Sequence, residues 1–109
     1  MQNMKKLKLS ESGQRGWFIG DFPEAVHRTK DFEVNWQTNP RQHSPTHYHK
    51  VVTEIQLVTR GRMMVNGVIF GPGDICVLEP GDNSQIHILE ETDTVAIKFP
   101  SVPDDKYLL

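Results

Sequence analysis

An antiparallel all-β sandwich or barrel is the fold that this sequence predicts. Short apolar or alternating runs of strand length follow one another from residue 31 to residue 99, and turn chemistry separates them about every ten positions. The pattern has the period of strands rather than helices. A chain of 109 residues, 37% apolar and 24% charged, fits one folded domain over residues 1–109 with a single modest core.

Taken in order, the segment up to Thr29 carries no clear pattern. In "DFEVNWQT" (31–38), Phe32, Val34 and Trp36 alternate with Glu33, Asn35 and Gln37, so a half-buried strand with its apolar face on the core is predicted. "EIQLVT" (54–59), "RMMVNGVIF" (62–70), "DICVLE" (74–79), "IHIL" (86–89) and "TVAIKF" (94–99) read as further strands. Asn66-Gly67 is the strongest hairpin signal, because a type I′ turn needs positive φ at both central positions and these residues tolerate it best. "GPGD" (71–74), "EPGDN" (79–83) and "EETD" (90–93) mark other reversals. Pro100 and Pro103 keep the tail out of any central strand.

Composition narrows the function classes. The formal charge is -2 with scattered lysines and arginines, so no basic field is available for nucleic acid. No run of 18 apolar residues and no signal-peptide core are present, and the lone Cys76 sits in an apolar run where a buried thiol is expected. A cytoplasmic chain without nucleic-acid or membrane partners is the expectation.

The stretch "HSPTHYHKVVTEIQLVTRG" (43–61) concentrates imidazoles just ahead of one strand. His47 and His49 are two apart, so in extended backbone both leave the same face and can share one cation. Glu54, on the following strand, can bring a carboxylate to the same point. Two neutral nitrogens and one anionic oxygen leave coordination positions open, which suits Fe, Mn, Ni or catalytic Zn. The alternative is a set of surface polar residues in a proline-containing loop.

The spacing of His47, His49, Glu54 and Gly61 resembles the first motif of the cupin family, and "GDICVLEPGDNS" (73–84) resembles the second. The resemblance covers residues 47 to about 87. It implies a double-stranded β-helix, or jelly-roll barrel, with its core at about 30–100. It also implies a divalent transition metal on His47, His49 and Glu54. Where the second motif usually ends in histidine, this chain has Ser84, a weak ligand. The site then has three protein ligands, or recruits His87, or has lost its metal. Ile86 and Ile88 share the face of Ser84 in a regular strand, so His87 and Gln85 point the other way unless a bulge reverses the count. His43, between Pro40 and Pro45, has no readable direction, and His27 reads as a surface residue.

Gln56 shares a face with Glu54 and Val58 and is expected to point inward as a substrate contact or a partner for a ligand. Trp36, a core residue or stacking platform, and Arg41, in the loop before the histidines, are further substrate-binding candidates. The family spans many reactions, so the site alone does not select one. The reading is a small metal-dependent enzyme, such as an isomerase or epimerase, lyase or dioxygenase, acting on a sugar-like molecule or a hydroxy or keto acid. The alternatives are a non-catalytic metabolite- or metal-binding module and a metal-free sugar epimerase or isomerase. Apolar residues on both faces of a strand, together with sheet edges one short chain cannot cover, predict a homodimer.

Overall fold

Alternation along the strands gives the chain two main sheets whose inner faces share one interior. The structure, a computed structural model, describes residues 3–109. The strands are β1 (Trp17–Gly20), β2 (His27–Arg28), β3 (Glu33–Asn39), β4 (Gln42–His43), β5 (His47–Tyr48), β6 (Thr53–Arg60), β7 (Met63–Val65), β8 (Val68–Phe70), β9 (Ile75–Leu78), β10 (Ile86–Ile88), β11 (Thr92–Phe99) and β12 (Tyr107–Leu108). A six-stranded sheet runs β2-β1-β3-β11-β6-β9, and a four-stranded sheet runs β4-β10-β7-β8. A third, two-stranded ribbon pairs β12 with β5. The only helical piece among the described residues is the 3₁₀ turn Leu9–Glu11, and no helix there is long and apolar enough to cross a membrane.

Each predicted run is a strand. Asn66 and Gly67 have φ of 51° and 82° and join β7 to β8, as the hairpin signal requires. The leading segment contributes β1 and β2, which carry too little alternation to be read in advance. A register shift between Asp93 and Thr94 leaves Thr59 as an extra residue where β11 pairs with β6.

The interior is divided in two. Val58, Met63, Val65, Cys76, Leu78 and Ile88 form the apolar cluster, with both sheets contributing. Burial of each large aliphatic side chain is worth about 1.5–3 kcal/mol, so this cluster anchors the sheets to one another. Cys76 is one of its members, and burial pushes its thiol pKa up, which suits packing rather than nucleophilic chemistry.

The rest of the interior surrounds a cavity to which β3 presents its polar face, and this corrects the expectation for Trp36. On β3 it is Glu33 and Asn35 that are buried, while Trp36 is 43% exposed. The apolar face of β3 looks outward because the barrel encloses a polar cavity rather than a continuous core. Outside, Trp36 lies opposite Val95, and Val95 opposite Leu57. Val34, Ile97, Ile55 and Val77 form the next row in register. The outer face of the six-stranded sheet is therefore apolar across four strands.

Candidate metal centre

The cavity, about 590 Å³, is lined by β3, β6 and β11 on one side and by Met63, Ile86 and Ile88 on the other. His47, His49, Glu54 and Gln56 all reach it. One ligating atom from each of His47, His49 and Glu54 lies within 4.8 Å of the others, and all three residues are buried. The two imidazoles meet nearly edge to face, their centroids 5.4 Å apart and their planes at 81°.

Local structure explains the convergence. β6 brings Glu54 and Gln56 inward by its two-residue period. The loop from His49 to Val52 has no ladder of its own and is fixed from outside. Asp105 Oδ1 accepts the N–H of Lys50 at 3.1 Å, and Oδ2 accepts those of Val51 and Val52 at 2.9 Å each. The N–H of Gly81 donates to the His49 carbonyl at 2.7 Å, and β12 pairs with β5, setting Leu108 opposite His47. Both histidines thus sit on backbone clamped by the tail and by the Pro80-Gly81 turn.

The electrostatics suit a cation. Burial, followed by the charge of Lys98 and that of His47 when it is protonated, drops His49 to a pKa of about 4. Burial and Lys106 also hold His47 below the usual imidazole value, so both rings are neutral at pH 7, the form that coordinates metal. Burial pushes Glu54 up, against the lowering effects of Lys98 and of a hydrogen bond from Gln56. An ion would remove the cost of keeping that carboxylate charged. His47 Nδ1 is buried with no well-formed hydrogen bond among the described residues, although the Pro45 backbone is close enough to act on the ring. The donor set therefore fits a divalent ion.

The other candidates are placed as follows. Ser84 is buried and forms an isolated bridge with His47, and its hydroxyl also lacks a partner. His87 does not reach the site. No bulge intervenes on β10, so Ile86 and Ile88 face the cavity and His87 stacks on His43 outside it, ring centroids 3.9 Å apart. Gln85 is exposed, and His27 is an exposed residue of β2. Arg41 is exposed and Trp36 is turned outward, so neither is among the residues lining this cavity. In their place stand Glu33, Asn35, Lys98, Asp105 and Lys106.

No family model matches the sequence, and no curated protein does. Solved structures do match in fold. A Streptomyces PAC13 variant with uridine is 14% identical, with a TM-score of 0.73 over 99% of this chain and 92% of that one. A conserved Klebsiella pneumoniae protein with a double-stranded β-helix domain is 19% identical, with a TM-score of 0.66 over 97% and 92%. A cupin-superfamily sugar phosphate isomerase from Silicibacter pomeroyi is 22% identical, with a TM-score of 0.59 over 72% of this chain and 57% of that one. The chain has the cupin fold. The two motif segments carry the candidate ligands inward, while the tail that clamps them lies beyond both motifs.

Proposed function

We propose that this cupin-fold chain is a small metal-dependent enzyme acting on a small oxygen-rich substrate, a sugar derivative or a hydroxy or keto acid. The observation that carries this reading is the convergence of His47, His49 and Glu54 on one point of a cavity large enough for such a molecule. Fe, Mn, Ni or Zn fits the donors, and when bound it supplies Lewis acidity to a substrate oxygen. The likeness to a protein solved with uridine and to a sugar phosphate isomerase supports a polar, hydroxyl-bearing ligand.

The chain's own residues do the rest. Gln56 offers both a donor and an acceptor beside Glu54, and can select which substrate oxygen faces the ligands. Asn35, Gln37 and Thr94 line the wall with further donors and acceptors for hydroxyl groups. Met63, Ile86 and Ile88 form the opposite, apolar wall, which limits water around the reacting atoms. Ser84 in place of a fourth imidazole favours a second reading, a metal-free epimerase or a binding module. Elemental analysis of protein purified without chelator separates the two. About one transition-metal ion per chain is expected, and a metal-free chain that also fails to take up zinc, nickel, manganese or iron would sink the proposal.

A further inference from the structure

The inner face of the six-stranded sheet carries a row of three charged residues across three strands. Lys98 on β11 lies opposite Glu33 on β3 and opposite Glu54 on β6. A lysine between two carboxylates would ordinarily be neutralised by them. Here both carboxylates feel its charge, which opposes the upward push of burial on their pKa values, but neither forms an ion pair with it among the described residues. Glu33 is buried and accepts the Ser101 hydroxyl at 3.0 Å, while Glu54 belongs to the metal-ligand cluster. Among the described residues the ion pairs use Arg28, Arg60 and Arg62, and Lys98 makes none. Its ammonium instead sits 4.9 Å from the centroid of the Trp17 ring, an arrangement that positions a cation without cancelling its charge.

Lys98 is not the only cation at the cavity. Lys106, on the tail segment that clamps the histidine loop, and Arg15, beside Trp17 in sequence, also line it. The remaining acids at the cavity are Asp104 and Asp105, and the two oxygens of Asp105 accept three backbone N–H groups. A divalent ion neutralised by Glu54 alone would itself retain positive charge. With such an ion, its two charges and those of Arg15, Lys98 and Lys106 stand against the four carboxylates of Glu33, Glu54, Asp104 and Asp105, which leaves one formal positive charge for the ligand to meet.

We propose that the substrate carries an oxyanion, a carboxylate or a phosphate, that seats on Lys98 with support from Lys106 while hydroxyl or carbonyl oxygens of the same molecule face the metal ligands. This rests on the proposed function and narrows its substrate class from oxygen-rich to anionic. Lys98 is then the residue that sets specificity, since a charge-assisted contact is lost wholly by a neutral sugar of the same shape.

Calorimetric titration of zinc-loaded protein with D-glucuronate, D-glucose 6-phosphate and D-glucose tests it. At least one anion is expected to bind about tenfold or more tightly than D-glucose, and the tighter of the two identifies carboxylate or phosphate as the preferred source. Lys98→Met should bring the anions to within about threefold of glucose with zinc content unchanged, and Lys106→Met, on the exposed tail, should weaken the anions by a smaller factor. Equal binding of all three sugars, no binding of either anion, or a preference that survives Lys98→Met overturns the proposal. A failure of the metal reading looks different. The wild-type chain would take up no zinc, which elemental analysis reads before any sugar is added.

Discussion

His47 and Ser84 face one another in an isolated antiparallel bridge, exchanging N–H···O bonds of 3.0 and 2.8 Å, so the serine side chain leaves the backbone on the same face as the imidazole. Directly opposite residues in such a pair hold their Cβ atoms about 5 Å apart, within reach of a common ion for two imidazoles. Ser84→His should therefore add a fourth ligand and tighten zinc binding by about tenfold or more, as read by competition with a chelator. Ser84→Ala, which deletes a buried hydroxyl that has no partner, should alter stability by less than about 1 kcal/mol and zinc affinity by less than about threefold. A wild-type affinity in the histidine variant would mean that the position does not face the ion.

His87 and His47 separate by face. Glu54→Ala or His47→Ala removes one of three ligands and is expected to reduce bound zinc from about one per chain to below about a tenth at equal free metal. His87→Ala should leave zinc content intact, because its ring lies against His43 outside the cavity. Loss of zinc on removing His87 would contradict the register of β10.

How much of this was legible in the sequence depends on which interaction fixed each residue. The motif strands, the Asn66-Gly67 turn, the inward direction of Gln56 and the outward direction of His87 all follow from the two-residue period and local turn chemistry. Period alone could not say which face of β3 is inside. Placing its apolar residues inward assumed an apolar interior, whereas the cavity reverses the rule and turns Trp36 out. The alternating Glu33, Asn35, Gln37 and Asn39 were the available signal, a polar stripe on a strand flanked by other strands. Asp105 and Lys106 had no such signal. Their roles depend on a tail that folds back over more than fifty residues of sequence separation to reach Lys50 and Val52.

Asp105 makes a testable contribution to acid stability. Burial alone would raise its pKa, but the N–H groups of Val52, Val51 and Lys50 outweigh this and hold it below the usual carboxylate range. A carboxyl whose folded pKa lies below its unfolded value of about 3.9 stabilises the fold above that value, and the stabilisation is lost as pH falls through the lower, folded one. Urea unfolding between pH 6 and pH 2.5 should thus show a loss below about pH 4 that is smaller in Asp105→Asn. At pH 6 that variant should already be destabilised by about 2–3 kcal/mol, since an amide cannot accept all three N–H groups as a carboxylate does. Identical pH profiles in the two proteins would show that the clamp is energetically idle.

The outer face of the six-stranded sheet sets the last expectation. Trp36, Ile75, Val77, Ile97 and Phe99 are 43%, 58%, 51%, 37% and 40% exposed, and the strand register places most of them in adjoining rows on β3, β11, β6 and β9. Scattered apolar residues on a surface are ordinary, but a contiguous sheet face of this kind favours burial against another surface. We propose that a second copy of the chain covers it, because a twisted sheet face packs well on its own two-fold image and a self-complementary patch closes the assembly at two. Sedimentation at micromolar concentration should then give about twice the 12.5 kDa chain mass. Trp36→Glu paired with Val77→Glu would place like charges at opposite sides of the buried patch and should return the protein to monomer, without altering zinc content, since neither residue lines the cavity. A wild-type chain that sediments as a monomer across this range would leave the apolar face uncovered and end the dimer proposal. A dimer that persists in the double variant would move the interface to another face.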